Sequence, residues 1–557
     1  MEQNTLKDKI RGCLMAGAAG DALGYEVEFM SRRSILSRFG ENGITKFALD
    51  SKGKALISDD TQMTLFTANG LLTGITMNRM EHSSHKAELI VMAAYLDWFY
   101  TQTREEGKHE QITWLRELPE MYHKRAPGNT CMSACANIID GKDVMNDSKG
   151  CGGIMRVAPM ALLVDQSPDS GRYYCSLEEL AEGGCYIAEQ THQHPLGFLL
   201  AGLLTVLLYK LLPLTPAQAQ DNIDNIVSET LSILDVFRVG KYEEDKLYLK
   251  KLTEKAVCLA YSDISDADAI RELGEGWVAE ETWAIALYCA IRHINSVEDA
   301  IISSVNHNGD SDSTGSVCGN IMGAIYGYEH IKERNIFCPE GKQLEDTLEL
   351  SEIILALADD LSTGCIISEY DPIDTPEKRQ WFDRYCEMKP AGILRTKCKN
   401  MKDFLKHLFV LSKREEKKQE TTLPKTSKQN VTPEWIDTLK ENEIFVFGCR
   451  NSGRHFDGAS NFALENFGAV MGQREGRQGQ SYAIPTIGGI IGLKEIRQSV
   501  KTFTRYAQDH PELHFLVTPI GCGGGCRRPS EIAPMFRDAA KLSNVSLPQE
   551  FWDILNR

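Results

Sequence analysis

N-G-D-S-D-S-T-G, residues 308–315, is the stretch around which we expect the chain to be organised, because it places two carboxylates, Asp310 and Asp312, among small hydroxyl residues. Its two glycines let the backbone bend and approach a ligand closely. A hard cation such as Mg²⁺ prefers oxygen ligands in a near-octahedral array, and Asp-x-Asp-Ser at a helix start supplies three oxygens within one turn. Asp and Ser also cap helices, so capping alone is the alternative explanation.

A second acidic stretch, Ser58-Asp59-Asp60-Thr61, precedes an apolar pattern with helical spacing. The helix dipole stabilises a surface carboxylate at a helix start by only about 0.3–1 kcal/mol. Divalent cations shared with residues 310 and 312 would stabilise these adjacent charges far more. A third stretch, GDALGYEVEF at 20–29, adds further acids in a small-residue turn after a predicted helix.

Together these stretches resemble the ADP-ribosylglycohydrolase family, which includes the ADP-ribosyl-arginine hydrolases and the dinitrogenase reductase-activating glycohydrolase. The resemblance covers residues 5–365, with segments in the family's order. The matching segments are GDALGYEVEF at 20–29, SDDT at 58–61, SKGCGGIMRVAP at 148–159, TH at 191–192 and NGDSDSTG at 308–315. It implies an all-α ADP-ribosylglycohydrolase-like catalytic domain over residues 1–365, with two Mg²⁺ or Mn²⁺ ions in a central cleft.

The resemblance also implies roles for individual residues. The acids implied in catalysis are Glu28, Asp59 and Asp60, with Glu26 as the weaker alternative to Glu28. The implied metal ligands are Ser58, Asp59, Asp60, Asp310, Asp312 and Ser313. The implied substrate contacts are Ser148, Lys149, Gly150, Gly152, Gly153 and His192. From the residues alone, Glu28 is equally consistent with a surface acid beside a buried neighbour.

The glycine-rich loop at 148–153 exposes successive backbone N–H groups, which can form an anion-binding nest. By resemblance it holds the diphosphate of ADP-ribose, with Lys149 or Arg156 adding charge and Met155-Arg156 opening the next helix. A flexible turn is the alternative. His192 and His194 form a His-x-His pair, for which a metal site and a polar cluster at a helix start are both open.

The implied reaction is removal of ADP-ribose from a modified protein or another ADP-ribose conjugate, by hydrolysis of an N- or O-glycosidic bond. The D-S-D-S and S-D-D-T stretches look closer to the arginine hydrolases, so ADP-ribosyl-arginine is the expected substrate. Two alternatives stay open. One is hydrolysis of a free ADP-ribose-type nucleotide or signal molecule, and the other is a protein that binds ADP-ribose with little activity.

Composition limits the partners and the compartment. The formal net charge of −17 argues against binding to a nucleic-acid backbone, which usually needs a basic face, although a modified nucleic acid stays open as a target. The 16 cysteines show neither zinc spacing nor a disulfide framework, which predicts reduced thiols and a cytoplasmic location. Leu196–Leu212 falls short of the roughly 20 apolar residues of a membrane span. We therefore expect a buried core helix there and no membrane partner.

With 557 residues, the chain is too long for one typical domain. After the predicted catalytic domain, residues 366–412 form an expected helical extension of unknown role. Residues 413–432 are an expected polar linker, because the segment is charged and lacks aromatic residues up to 430.

Residues 433–557 resemble a macrodomain-like α/β module, a class that binds ADP-ribose and related nucleotides. Predicted strands at 443–448, 481–485 and 514–520 alternate with helices at 459–467 and 494–507. Ligands of such sheets bind at the carboxyl ends of the strands. The expected ligand contacts there are Asn451, Asp457, Gly458, Gly521, Gly523 and Gly524. The usual Asn-Ala-Ala-Asn turn of macrodomains is absent, and a purely structural module is the alternative.

Overall fold

The computed structural model divides the chain into two compact units, Met1–Arg414 and Glu415–Arg557. It describes residues 3–81, 87–104, 111–163, 176–368, 372–386, 430–433, 436, 438–450, 453, 455, 458–487, 493–521 and 529–556. Most of the predicted linker at 413–432 and much of the predicted extension at 366–412 lie outside the described residues, so both stay predictions.

In the described part of the first unit, the regular elements are helices. The α-helices are α1 Gln3–Tyr25, α2 Arg32–Phe39, α3 Asp59–Glu81, α4 Val91–Thr103, α5 Asn129–Ile139, α6 Pro159–Leu162, α7 Leu177–Glu189, α8 Pro195–Leu211, α9 Pro216–Leu231, α10 Ile233–Val236, α11 Glu243–Ala260, α12 Asp266–Leu273, α13 Ala279–Arg292, α14 Val297–Val305, α15 Ser311–Tyr326, α16 Tyr328–Arg334, α17 Leu344–Thr347, α18 Ser351–Thr363 and α19 Pro376–Tyr385. Short 3₁₀ helices cover Ala87–Ile90, Trp114–Glu117, Pro119–Tyr122 and Cys151–Gly153. The predicted all-α fold is confirmed.

Helices α1 and α15 run antiparallel with their backbones in contact, because glycines line both contact faces. A Cβ added to Gly20 would lie 2.1 Å from the carbonyl oxygen of Gly315, and one added to Gly323 would lie 2.1 Å from that of Gly12. Only residues without a side chain permit this approach. The contact sets the end of α1 beside the start of α15, which are the two places where the sequence carries its acids.

Three stretches have an apolar spacing that predicts one continuous helix each, namely 216–237, 315–329 and 344–361, and each is divided in two. The predicted helix 216–237 breaks at Ser232, which lies between α9 and α10. The predicted helix 315–329 breaks at Gly327, where φ is +83°, and 344–361 breaks near Leu350, where φ is +59°. Apolar spacing continues across each break, so periodicity alone could not reveal them.

Helix α8 is a core helix, as predicted from its apolar sequence. Its residues from Leu196 to Leu208 are buried without interruption. Across the described part of the chain, no helix combines the length and the apolar character that a membrane crossing needs.

The second unit contains a five-stranded sheet in the order β2-β3-β1-β4-β5. The strands are β1 Glu443–Arg450, β2 Gly476–Gln478, β3 Ser481–Ile487, β4 His514–Val517 and β5 Val545–Ser546. β1 pairs in parallel with β3 and β4, β4 pairs in parallel with β5, and β2 is antiparallel to β3. The α-helices are α20 Gly458–Asn466, α21 Leu493–Asp509, α22 Pro529–Ile532 and α23 Gln549–Leu555.

Side chains of β1 alternate between two cores, one on each face of the sheet. Ile444 and Val446 pack in a cluster with residues of α21, and Phe445 and Phe447 pack in a cluster with Ala463 of α20. A mostly parallel sheet with helices packed on both faces is an α/β arrangement. The predicted fold class is therefore confirmed, and β2 and β5, with three and two residues, are strands that were not predicted.

Replacing Gly20 by Ala is expected to destabilise the first unit. The added Cβ would lie 2.1 Å from a backbone oxygen of α15, and overpacking of this kind typically costs about 1–3 kcal/mol. Gly128→Ala is the matched control, because no atom lies within 4 Å of its added Cβ. Thermal denaturation of the full chain should show a lower midpoint for Gly20→Ala alone, and equal midpoints would contradict the role given to the glycine contact.

Candidate active site

A cluster of buried carboxylates lies where α1 meets α15. Glu28, Asp310 and Asp312 each offer a carboxylate oxygen within 4.8 Å of the others, and all three are buried. Glu28 follows the end of α1, whereas Asp310 caps α15 by accepting a hydrogen bond of 3.3 Å from the Ser313 backbone N–H. Asp310 therefore caps the helix and also belongs to the cluster, so capping is confirmed, and its role as a metal ligand stays a prediction.

The SDDT stretch joins the same cluster at the start of α3. Asp59 and Asp60 are only 4% and 2% exposed, and the negative charge of Asp312 raises the pKa of both in addition to their burial. Asp59 accepts a hydrogen bond of 3.2 Å from the Gly128 N–H. Ser58 accepts one of 3.1 Å from the Asp60 N–H. The predicted acids thus come together in one buried region, and their roles as ligands and catalysts stay predictions.

Asp21 holds the SDDT stretch in place, a function that the sequence analysis did not assign. Its carboxylate is fully buried and accepts hydrogen bonds from the N–H groups of Ser58 at 3.0 Å and Thr61 at 3.1 Å, as well as from the Thr61 hydroxyl. The GDALG turn contained the signal, because a lone acid among small residues must find donors if it is buried.

Two oxygens of the cluster have no hydrogen-bond partner among the residues that the structure describes. They are the buried Oε2 of Glu28 and Oδ2 of Asp60. Burial and the charge of Asp312 raise the pKa of Glu28 to about 10, and the same two causes raise the pKa of Asp21 to about 7. Partnerless buried oxygens in a repelling set of carboxylates fit the oxygen-rich environment that a hard divalent cation requires.

The glycine-rich loop is fixed to its surroundings by close backbone packing. Gly150 forms an antiparallel bridge with Val278, just before α13. A Cβ on Gly152 would lie 2.9 Å from the His192 ring, and one on Gly153 would lie 2.8 Å from the Gly197 carbonyl oxygen. Packing therefore accounts for glycine at 152 and 153, and a phosphate-binding role of the loop remains a prediction.

The polar side chains of the loop already have protein partners. Lys149 forms an ion pair with the buried carboxylate of Glu280, and the Ser148 hydroxyl lies 3.0 Å from that of Thr130. A substrate phosphate would have to compete with Glu280 for the Lys149 ammonium. The predicted substrate contacts of Ser148 and Lys149 therefore stay predictions.

The two histidines of the T-H-Q-H-P stretch have separate structural tasks. His192 lies beneath the loop glycines, and burial together with the charge of Arg156 lowers its pKa to about 3, so the ring is neutral. His194 caps α8 by accepting a hydrogen bond of 3.1 Å from the Leu196 N–H. The polar-cluster explanation thus accounts for His194, whereas a substrate contact of His192 stays a prediction.

Arg156 does not open a helix or offer its charge to a ligand, and both expectations were wrong. The next α-helix begins at Pro159, and Arg156 is fully buried. Its guanidinium donates to the Thr191 hydroxyl at 2.6 Å and stacks 4.4 Å from the centre of the Tyr95 ring. Its guanidinium therefore links the end of α7 to Tyr95 of α4 beneath the glycine-rich loop.

In the second unit, four of the predicted ligand residues lie outside the described residues: Asn451, Asp457, Gly523 and Gly524. Gly458 begins α20, and Gly521 follows β4 with φ at +73°. A Cβ on Gly448 would lie 2.8 Å from the Thr486 hydroxyl and 3.2 Å from the Gly521 nitrogen. The carboxyl ends of β1, β3 and β4 thus converge, and within the described part of the chain the buried Thr486 hydroxyl has no hydrogen-bond partner.

Comparison with known protein families identifies the first unit. The sequence profile described as ADP-ribosylglycohydrolase matches residues 2–366, well over half of the chain. The chain belongs to the ADP-ribosylglycohydrolase family. Its N-terminal domain is therefore a glycosidic hydrolase domain of a metal-dependent family, as the sequence predicted.

Curated relatives of this ADP-ribosylglycohydrolase include three vertebrate proteins named ADP-ribosylhydrolase ARH3. The chain is 27% identical to the Mus musculus protein over 368 residues, which cover 62% of this chain and 90% of the relative. For Danio rerio the identity is 25%, with 58% and 84% covered. For Bos taurus it is 26%, with 37% of this chain and 57% of the relative covered. A solved "ADP-ribosylglycohydrolase-related protein complex" aligns at 22% identity with a TM-score of 0.40, covering 65% of this chain and 99% of that chain.

In EDTA, the thermal midpoint of the full chain is expected to fall as the pH rises. The folded state holds the Glu28 proton up to a pKa of about 10, whereas the unfolded chain releases it near 4.5, so stability is lost across this interval. A bound divalent cation stabilises the charged carboxylates. Mg²⁺ should therefore raise the midpoint, and by more at a pH of about 8 than at about 5.

Glu28→Gln is the control for this experiment, because it removes one titrating group and keeps the shape of the side chain. Its midpoint in EDTA should depend less steeply on pH than that of the wild type. A wild-type midpoint that does not fall with pH in EDTA, or that Mg²⁺ leaves unchanged, would contradict a metal-binding carboxylate cluster.

Proposed function

We propose that the N-terminal domain hydrolyses the glycosidic bond at C1″ of the distal ribose in an ADP-ribosylated target other than ADP-ribosyl-arginine. The observation that carries the proposal is the buried carboxylate cluster, with two partnerless oxygens, in a domain of this family. Two Mg²⁺ or Mn²⁺ ions are the proposed cofactors, held by Ser58, Asp59, Asp60, Asp310, Asp312 and Ser313.

The choice of linkage departs from the expectation drawn from the sequence alone. The D-S-D-S and S-D-D-T stretches pointed to arginine. The curated relatives above carry the name ADP-ribosylhydrolase ARH3, and similarity to them favours a conjugate other than ADP-ribosyl-arginine for this chain. An oxygen-linked conjugate needs a proton on its leaving oxygen, because an alkoxide is a poor leaving group. Glu28, a buried carboxyl group with one oxygen that makes no hydrogen bond to the described residues, is suited to supply one.

The proposed reaction divides the work between two groups of residues. Glu28 holds a proton near the scissile bond and gives it to the departing oxygen, then accepts one from the attacking water. Asp59 and Asp60 contribute negative charge beside the ribose, where an oxocarbenium-like transition state develops positive charge. The bound cations, when present, would neutralise the cluster and orient the ribose hydroxyls and the water.

An exposed aromatic pair beside the cluster supports a macromolecular target over a free nucleotide. Phe29, directly after Glu28, is 74% exposed, and Trp277 is 40% exposed. The two rings stack with centroids 6.0 Å apart. Exposed aromatic side chains are enriched where proteins contact partners. We infer that the pair contacts the part of the target next to the modified residue.

A panel of conjugates assayed with Mg²⁺ tests this proposal. Hydroxyl-linked, carboxyl-linked and arginine-linked ADP-ribosyl peptides should be compared with a modified nucleic acid and with free ADP-ribose nucleotides. The wild type should release ADP-ribose fastest from a peptide that is not linked through arginine. Glu28→Gln should lower turnover about 10²-fold or more.

Glu26→Gln is the matched control for this assay, because Glu26 lies two residues away and forms an ion pair with Arg38 instead of joining the cluster. Fastest release from the arginine conjugate would overturn the choice of linkage. If a free nucleotide is hydrolysed fastest, the proposed substrate changes from a modified protein to that nucleotide. If Glu28→Gln and Glu26→Gln lose the same fraction of turnover, Glu28 is not the acid and base.

We further propose that the C-terminal module binds ADP-ribose or a related nucleotide at the carboxyl ends of β1, β3 and β4. The convergence of Gly448, Thr486 and Gly521 supports this, because close backbone approach and a partnerless hydroxyl suit a phosphate or ribose. Such binding would raise the effective concentration of a modified target near the hydrolase domain. A cytoplasmic location also remains part of the proposal.

Calorimetry with residues 415–557 in EDTA should detect ADP-ribose binding that needs no metal. Thr486→Val should weaken binding by about 2–10-fold, the value of one hydrogen bond. Thr502→Val is the control, because Thr502 is exposed on α21 and its hydroxyl donates a hydrogen bond to the Gln498 carbonyl of the same helix. Absence of heat with ADP-ribose, ADP and NAD would leave the module with a structural or partner-binding role.

A further inference from the structure

A short segment before α13, residues 274–278, contacts two parts of the candidate active site through its backbone. The carbonyl oxygen of Glu275 accepts a hydrogen bond of 2.8 Å from the Asp310 N–H. Val278 forms the antiparallel bridge with Gly150. The segment therefore joins the first turn of α15, where the cluster lies, to the glycine-rich loop.

A third contact of the segment reaches the turn that carries Glu28. The Trp277 ring stacks on that of Phe29, with the two ring planes 23° apart, and Phe29 follows Glu28 directly in the sequence. Three separate stretches of chain, which carry the proposed acid and base, two acids of the cluster and the loop, thus meet at residues 274–278. A shift of this segment would change the distances among them.

The segment packs closely against the start of α15 at two glycines. At Gly276, φ is +83°, and an added Cβ would lie 3.1 Å from the Asp310 carbonyl oxygen. At Gly309, φ is +124°, and an added Cβ would lie 2.1 Å from the Glu275 carbonyl oxygen. Glycine adopts such angles readily but loses more conformational freedom on folding than any other residue. A segment built in this way needs an interaction that holds it in place.

The carboxylate of Glu281, in the first turn of α13, supplies this interaction. Its Oε2 accepts hydrogen bonds of 3.0 Å from the Glu275 N–H and 3.1 Å from the Gly276 N–H. A glutamate at this third helical position ordinarily accepts from the N–H of the N-cap residue, which here is Val278. Glu281 instead bonds to the segment that precedes the cap, and Gly274 leaves room for it, because a Cβ there would lie 2.3 Å from the Glu281 Cδ.

The residue after Glu281 binds the same segment from its other side. The Thr282 hydroxyl donates a hydrogen bond of 2.7 Å to the Gly276 carbonyl oxygen. The N–H and the C=O of Gly276 are therefore both bonded to side chains of the first turn of α13. This turn holds the segment in one conformation, and the Glu281 carboxylate makes two of the three hydrogen bonds.

We propose that Glu281 is a positioning residue of the candidate active site. Its carboxylate holds residues 274–278, and this segment sets the glycine-rich loop, the first turn of α15 and the Phe29–Trp277 pair at their mutual distances. Resting on the proposed function, this predicts that loss of the carboxylate impairs capture of the target more than the chemical step. The reason is that the segment contacts the loop and the aromatic pair but offers no acid or base to the reacting atoms.

Peptide-resolved hydrogen exchange of the full chain tests this positioning without any need for activity. In Glu281→Ala, exchange should become about fivefold faster or more at residues 274–278, because two hydrogen bonds are lost, and it should also become faster at 308–313 and 148–153. Glu281→Gln should exchange as the wild type does, because its amide oxygen accepts the same two bonds. If Glu281→Ala folds poorly, Glu281→Asp replaces it, because its carboxylate is withdrawn by one methylene.

Gln218→Ala is the matched control for the exchange experiment. Gln218 occupies the same third position of its own helix, α9, where it accepts a hydrogen bond of 2.9 Å from the Thr215 N–H. Its loss should speed exchange at the start of α9 and leave residues 274–278 and 308–313 unchanged. Faster exchange confined to 274–278 in Glu281→Ala, or no change anywhere, would overturn the proposal, and Glu281 would then only cap α13.

Steady-state kinetics with the conjugate that the wild type hydrolyses fastest gives the second readout. KM should rise about tenfold or more in Glu281→Ala, kcat should change less than about threefold, and Glu281→Gln should restore KM. A loss confined to kcat, or an equal rise of KM in Gln218→Ala, would also overturn the proposal. If the wild type hydrolyses no conjugate, the proposed function fails, whereas hydrogen exchange still decides the role of Glu281.

Discussion

The first unit depends on direct contact between two helix backbones. Between α1 and α15, glycines meet main-chain atoms where other residues would meet side chains. This contact brings the acids that follow α1 against those that open α15, although Glu28 and Asp310 are 282 positions apart in the sequence. A wider spacing between the helices would leave the carboxylates too far apart to share a cation.

Counting hydrogen bonds separates the acids of the cluster into two kinds. Asp21 accepts several hydrogen bonds from the SDDT stretch, so both of its oxygens have protein partners. Glu28 and Asp60 each keep one buried oxygen that no described residue contacts through a hydrogen bond. Since burying an uncompensated carboxylate costs several kcal/mol, the first kind holds the architecture and the second kind is open to a ligand. Residue type cannot make this distinction, but geometry can.

Much of the candidate site was predictable from the sequence because its acids lie in short stretches at helix starts, where spacing has chemical meaning. No role was predicted for Asp21, and the roles predicted for Arg156 were wrong. Each contacts a partner distant in sequence, Thr61 for Asp21 and Thr191 for Arg156, which the local pattern does not show. The helix breaks at Ser232 and Leu350 were not predicted for a different reason. Leu350 has a positive φ, whereas Ser232 keeps helical backbone angles, and an apolar pattern averaged over several turns reveals neither break.

In the second unit, the sequence revealed the three long strands because their apolar runs are continuous. The outermost strands, β2 and β5, have only three and two residues, and the segment around Val431 pairs with Leu547 just beyond β5. A long bare edge would offer unpaired N–H and C=O groups to another sheet. At one edge β2 is too short to pair with many residues of another strand, and at the other edge the segment around Val431 pairs beside β5. Both features disfavour edge-to-edge pairing between copies of this sheet, which is a route to aggregation.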